Sequence, residues 1–402
     1  PGAEALAAAA TEAARAAGVP GVPTTGGGER AAELSTLQRI AYVLGQPARV
    51  AFFTSQYVAS LQLAPPDPAL RERVASLGMR FPNMGELYDS IGQLFADDLR
   101  RLERGSYALP ADLLPDVLAV ARTNWKYFED LPKIQRRRQA AARREAEERV
   151  GAQAYAGASG GERAFPEYYT QNYHWQSDGW LSDESAELYD HQVEVLFTGT
   201  ADAQRRVAAA GPACDALRAA AAVSTTRAPK LLDIACGTGR FLEHLRASFP
   251  TAELHGLEMS PNYAAKARKT LGIAGARIAE GDAAAMPYES GSFDVATCVY
   301  LFHELPASVR KEVVREMARV LRPGGTVVLA DSVQLGDNGG LLDALVRFFP
   351  EAYHEPYYLN YAKVDLVRLF AEEGLCHVDT THAFLTKGMT FVKRGDQLEE
   401  GA

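Results

Sequence analysis

A glycine turn, three acids and two histidines are the residues of this chain whose types and spacing could do chemistry. Leu231-Leu232-Asp233-Ile234-Ala235-Cys236-Gly237-Thr238-Gly239-Arg240-Phe241 reads as a buried strand running into a glycine turn that opens a helix, an arrangement that holds a nucleotide-like cofactor. Where a dinucleotide fingerprint requires its third glycine the chain has Leu242, which argues against NAD. No G-x-x-x-x-G-K-S/T run occurs and Lys230 lies on the wrong side of the turn, so ATP hydrolysis loses its main support. Glu258 lies about 20 residues beyond the turn, at the end of the short apolar segment 253–257, where an acid accepts hydrogen bonds from ribose hydroxyls. His303, in Tyr300-Leu301-Phe302-His303-Glu304, suits a general base with Glu304 to orient it; a hydrogen bond to the start of the next helix explains it equally well. His354, in the aromatic run 348–358, is the alternative base, with a structural role at least as well supported.

These residues need a scaffold that brings strand ends together. After Glu258, Ser260 suits a helix cap, Pro261 its first position and Gly272 its stop. Residues 276–279 read as a third strand ending at Gly281-Asp282-Ala283, and 292–300 as a fourth. Val309, Val313, Met317 and Val320 recur at helical spacing before Arg322-Pro323-Gly324-Gly325 turns the chain into the apolar strand 326–330. A helix near 364–373 and strands over 376–385 and 389–393 follow. Strands alternating with helices argue an α/β fold with a doubly wound parallel sheet covered on both faces.

With these pieces in hand, the chain from about 230 to 393 resembles the class I S-adenosylmethionine-dependent methyltransferases, in the branch that includes the ubiquinone and menaquinone biosynthesis enzymes. The matching pieces are D-I-A-C-G-T-G at 233–239, L-E-M-S-P at 257–261, E-G-D-A at 280–283, S-F-D-V at 292–295 and L-R-P-G-G at 321–325. The resemblance implies a mostly parallel seven-stranded sheet whose last two strands are antiparallel. It implies S-adenosylmethionine as cofactor, with its methionine portion over Asp233, Gly237 and Gly239, its ribose on Glu258, and its adenine near Met259, Asp282 and Ala283. Cys298, Val299 and Tyr300 would line the wall near the reactive methyl, which adds Tyr300 to His303 and His354 as a catalytic candidate and Cys298 to the cofactor residues. As side chains, Cys236 and Cys298 read as small buried residues rather than reactive thiols.

The bulk properties fit a small-molecule enzyme. At 402 residues and 47% hydrophobic content the chain can build two sizeable cores. A formal charge of -9 gives no general attraction to a polyanion, which weighs against nucleic acid as substrate. The 4 cysteines are far apart and form no C-x-x-C pair, so neither zinc nor disulfides are indicated. No apolar run reaches the ~18 residues of a membrane span. Residues 1–30, rich in Ala, Gly, Pro and Thr, read as a disordered tail that could be the remnant of a targeting segment. The high Ala and Arg content suits a GC-rich genome, and the compartment is read as cytoplasmic or organellar, a chloroplast included.

Residues 31–150 read as a helical domain. Leu34, Leu37, Ala41 and Leu44 are expected on one buried face, then Leu87, Ile91, Phe95, Leu99 and Leu102 on another, with Asn83 as a cap. The Arg136–Arg149 run reads as a solvated face and 151–164 as a flexible linker, leaving 165–395 as the methyltransferase domain. Its first segment carries Tyr168, Tyr169, Tyr173, His174, Trp175, Trp180 and Tyr189, either a lid over the cofactor or packing between domains, and 186–206 reads as a helix leading to the sheet.

Three absences narrow the reaction. Val299-Tyr300-Leu301-Phe302 stands where nucleic-acid amino methyltransferases of this fold carry N/D-P-P-Y/F, no acidic set resembles the magnesium site of catechol methyltransferases, and no cysteine trio resembles the arsenite enzymes. The sequence thus points to metal-free methylation of carbon or oxygen on a small aromatic or isoprenoid molecule. The alternatives are a protein methyltransferase that recruits its target through the helical domain, and a non-catalytic assembly factor that keeps the fold.

Overall fold

The computed structural model describes residues 34–110, 117–142, 155–156, 162–163, 165–171, 173–175, 179–224, 226–272 and 277–395. The expected tail over 1–30 and most of the 151–164 linker lie outside them. Among the described residues four helices come first: α1 (Thr36–Leu63), α2 (Pro68–Ser76), α3 (Met84–Glu103) and α4 (Val117–Ala142). Ser35 with Gln38, and Asn83 with Glu86, form reciprocal capping boxes that fix the starts of α1 and α3.

The buried face of α1 differs from the expected one. Leu37 and Leu44 are 79% and 69% exposed, while Tyr42, Gln46, Val50, Phe53 and Gln56 turn inward. Polar pairing decides this: the Tyr42 hydroxyl donates to Asp98 of α3 at 2.6 Å, and Gln56 Oε1 meets the His191 ring at 2.8 Å. These helices pack against later parts of the chain. α2 shares a core with residues 344–352, and Tyr127, Leu131 and Ile134 of α4 pack with Phe53 and Val195.

Two-residue strands β1 (Tyr155–Ala156) and β2 (Glu162–Arg163) pair antiparallel. The helix expected over 186–206 is broken into α5 (Asp183–Leu196), α6 (Ala201–Arg205), a π-helical turn (Arg206–Ala210) and α7 (Gly211–Val223). At the break over 197–200 Gly199 sits at φ +83, and a Cβ there would lie 2.9 Å from the Arg49 carbonyl oxygen of α1, so the close approach requires glycine.

The remaining elements build the sheet: β3 (Lys230–Ile234), α8 (Arg240–Ser248), β4 (Glu253–Glu258), α9 (Pro261–Leu271), β5 (Arg277–Glu280), β6 (Phe293–Val299), α10 (Ala307–Val320), β7 (Leu321–Ser332), α11 (Asp343–Tyr353), α12 (Tyr358–Tyr361), α13 (Leu366–Ala371), β8 (Leu375–Ala383) and β9 (Thr386–Lys393). The strand order is β5-β4-β3-β6-β7-β9-β8, parallel except for β9 against β7 and β8. Alternate residues serve opposite faces: Leu231, Val295 and Val328 join the core that includes α7 and α8, whereas Leu232, Ala296, Cys298 and Val327 join the one under α10 and α13. The order reverses at β3, so the carboxyl ends of β3, β4 and β6 flank the crevice where such sheets bind ligands. Among the described residues no helix is long and apolar enough to cross a membrane.

Candidate active site

The glycine turn follows directly from β3. Ala235 takes φ +56, Gly237 φ +56 and Gly239 φ +83. A Cβ on Gly239 would lie 3.2 Å from Ala267 of α9, whereas one on Gly237 would project into open space, as expected where backbone faces a ligand. The Glu258 carboxylate closes the turn from the next strand: Oε2 accepts from Gly237 N–H at 2.9 Å and Oε1 from Ser260 N–H at 2.8 Å. Burial raises its pKa above the ordinary carboxyl value, and the backbone donors pull it partly back. Each oxygen keeps a lone pair for a ribose hydroxyl.

A small cavity opens at this edge, lined by Ala235, Leu257, Glu258, Met259 and Ala283 on one side and by Tyr168, Tyr169, Tyr173, Leu301, Glu304 and Leu305 on the other. Of the expected cofactor residues, Glu258, Met259 and Ala283 therefore line it and Gly237 touches it through Glu258. Asp233 lies beneath, where its Oδ1 accepts from the Thr297 hydroxyl at 2.7 Å and burial pushes its pKa up to about 7. Asp282 Oδ1 accepts from Ala284 N–H, bending the chain so that Ala283 faces the cavity.

Cys298 does not reach the cavity. It is fully buried beside Leu232 and Ile234, because strand alternation turns it into the core under α10; Leu301, just past β6, supplies the wall instead. Tyr300 is also directed elsewhere: its hydroxyl pairs with Thr386 Oγ1 at 2.6 Å and the Arg205 guanidinium lies 5.7 Å from its ring. The aromatic segment divides its work. Tyr168, Tyr169 and Tyr173 cap the cavity, while Trp180 and Tyr189 pack edge-on against Tyr263 of α9.

His303 is buried, and its orienting partner is Asp331 rather than Glu304. His303 Nδ1 lies 2.6 Å from Asp331 Oδ1, and the other oxygen of Asp331 accepts from Phe302 N–H at 2.7 Å. Burial alone would lower the His303 pKa, but Asp331, with Glu355 and Glu304 nearby, pushes it up to about 10. Glu304 Oε1 is 3.9 Å from His303 Nε2 and faces the cavity; burial raises its pKa while His303 opposes the rise. His354 ends α11 in a left-handed conformation, φ 55, and the carboxylate that reaches this cluster is that of its neighbour Glu355. Asp331 and Glu355 were not singled out from sequence. The signal for Asp331 is its place just past the apolar run 326–330, at the same strand edge as Glu258.

The geometry is that of a nucleotide-like cofactor site at a sheet's switch point, and comparison with known proteins agrees. Residues 231–325 match the family model described as a methyltransferase domain. The chain is 35% identical over 163 residues to a demethylmenaquinone methyltransferase of Deinococcus radiodurans, covering 39% of this chain and 66% of that protein. It is 36% identical over 107 residues to the demethylmenaquinone methyltransferase of Staphylococcus aureus, covering 26% of this chain and 44% of that one. The chain thus spans less than two thirds of these relatives. Among solved structures, a SAM dependent methyltransferase from Aquifex aeolicus aligns with a TM-score of 0.32 at 15% identity, over 44% of this chain and 89% of that one. Residues 231–325 thus match a methyltransferase domain on a sheet whose order and glycine turn suit a nucleotide-like cofactor, and the chain is similar in sequence to the demethylmenaquinone methyltransferases.

Proposed function

We propose that the chain transfers the methyl group of S-adenosylmethionine to carbon or oxygen of a small aromatic or isoprenoid acceptor. The observation that carries this reading is the composition of the cavity: a cofactor-like half at Glu258, Met259 and Ala283 faces a half made of three tyrosines, Leu301 and Leu305, with Glu304 as its carboxylate. An aromatic and apolar chamber of this kind suits a flat or greasy acceptor. The tyrosine cap supports a small molecule over a protein target, and the relatives' name points to a quinone-like ring.

Methyl transfer from a sulfonium is an in-line displacement. The bond from acceptor atom to methyl forms as the sulfur–methyl bond breaks, and the electron pair stays on sulfur. The protein's task is alignment and exclusion of water, and positioning alone can supply ~7–11 kcal/mol. Where the acceptor carries a proton, Glu304 is the group beside the chamber that can receive it, and His303, held by Asp331, acts behind Glu304 as a positioning residue.

The test is transfer of label from methyl-labelled S-adenosylmethionine to reduced naphthoquinones and benzoquinones by the full chain and by Glu304→Gln. Turnover of a quinol, reduced at least tenfold in the variant, is expected. Cofactor binding without turnover of any small acceptor, combined with labelling of a co-purifying protein, would replace this reading with protein methylation.

A further inference from the structure

Beside the cavity three residues distant in sequence converge, Glu304 of its wall among them. The donor atoms of His174, Glu304 and Glu355 all lie within 4.8 Å of one another. His174 belongs to the aromatic segment ahead of the sheet, Glu304 follows β6, and Glu355 follows α11, so no sequence motif announces the set.

Glu355 is the informative member. It is 2% exposed, yet neither carboxylate oxygen has a hydrogen-bond partner. His174 Nε2 stands 3.1 Å from Glu355 Oε1 without forming a hydrogen bond. Two donors bound to one cation at ~2.0–2.2 Å are themselves ~3.0–3.4 Å apart, so this separation is what adjacent ligands of a shared ion show. The ion-pair contact of Glu355 with the His174 imidazole leaves both oxygens without the hydrogen bonds that a buried carboxylate ordinarily accepts.

The surroundings point the same way. His303, whose Nε2 is 3.9 Å from Glu304 Oε1, is held at Nδ1 by Asp331, the carboxylate–imidazole pairing that steadies a histidine beside a metal. Asp331 adds a third carboxylate to Glu304 and Glu355 in a region with two imidazoles.

We propose that His174, Glu304 and Glu355 bind a divalent cation. One imidazole and two carboxylates suit Zn²⁺ or Mn²⁺ better than Ca²⁺, which prefers six or more oxygens. This departs from the metal-free reaction expected from the sequence, in which no acidic set resembles a known magnesium site. Glu304 belongs both to this set and to the cavity wall, so the cation would favour acceptors with an oxygen donor; that last link rests on the methyl-transfer reading, and cation binding does not.

The experiment strips the purified full chain with chelator and titrates it with MnCl₂, followed by the resonance signal of free Mn²⁺, and with ZnCl₂ by calorimetry. Glu355→Gln and His174→Ala are titrated alongside, and S-adenosylmethionine binding is measured on every sample. One saturable site per chain, weakened at least tenfold in both variants while cofactor binding persists, is expected. Wild-type protein that binds S-adenosylmethionine but neither metal, or variants that bind metal as tightly as wild type, would overturn the proposal. Metal binding in a chain that fails to bind S-adenosylmethionine would sink the methyl-transfer reading and leave the cation site standing.

Discussion

Asp331 fixes His303 twice over: one carboxylate oxygen lies 2.6 Å from the ring Nδ1, and the other accepts the N–H of Phe302, the preceding residue. Ring and backbone are thus locked by one side chain at the end of β7. Asp331→Asn keeps the shape but can turn an amide nitrogen toward the ring and reverse its tautomer. Such orienting partners cost about 10–100-fold in activity when changed. The expected outcome is a kcat reduced by that factor with S-adenosylmethionine affinity unchanged, and a shifted ring-nitrogen resonance for His303. A uniform loss of kcat and cofactor affinity would instead mean that Asp331 only supports the fold.

Glu258 serves the glycine turn and, by the proposed reading, the ribose at once. Glu258→Ala removes an acceptor from Gly237 and Ser260 as well as from the cofactor. Hydrogen bonds to a charged group contribute about 1.5–3 kcal/mol each, so S-adenosylmethionine binding should weaken about 100-fold by calorimetry. A change smaller than threefold would show that the ribose is held elsewhere.

Much of this domain is legible in the sequence because its signals are local. The glycine turn, Glu258 at a strand end, Ser260 as a cap and Gly272 as a stop depend on neighbours a few residues away, and each lies where the pattern puts it. The acceptor side is harder to read. Asp331, Glu304, His174 and Glu355 meet only after four separate segments fold together, and nothing in their spacing encodes that meeting. Cys298 fails for a related reason: knowing the strand does not say which of its two faces the residue takes. On α1 hydrophobicity favours Leu37 and Leu44, whereas burial goes to Tyr42 and Gln56, whose partners lie on other segments.

The helical region is joined to the sheet domain through a buried ion pair. Arg206 Nη2 lies 2.5 Å from Asp98 Oδ2, and the hydroxyls of Tyr42 and Tyr107 donate to the same carboxylate. Asp98→Ala leaves the Arg206 charge buried and unpaired, which costs about 3–5 kcal/mol. A joint Asp98→Asn, Arg206→Met replacement removes both charges, keeps an acceptor for the tyrosine hydroxyls and should cost far less. Denaturant titration of the single and double variants checks this; equal losses in the two would mean that shape rather than charge holds the joint.

Asp233 makes stability and binding oppose one another. Burial holds its pKa at about 7 in the fold, against 3.8 as the ordinary value, so the folded chain takes up a proton that the unfolded chain has already released between those limits. Stability from this group is therefore highest at acid pH and falls as pH rises from about 4 to about 7. A shift of about three units corresponds to about 4 kcal/mol, an upper figure for a site that can relax. Asp233→Asn abolishes the cost and can still accept from Thr297. The variant should melt higher than wild type at pH 8, with the gap closing toward pH 4, as followed by calorimetric melting in matched buffers. S-adenosylmethionine carries an ammonium group, which by the proposed placement lies over Asp233 and favours its ionised form. The same variant should accordingly bind the cofactor more weakly at pH 8, by about tenfold for one charge-assisted bond. A variant that is stabilised at pH 8 yet binds as tightly as wild type would place the ammonium elsewhere, and one with no pH-dependent gap would mean that Asp233 is already ionised in the free protein.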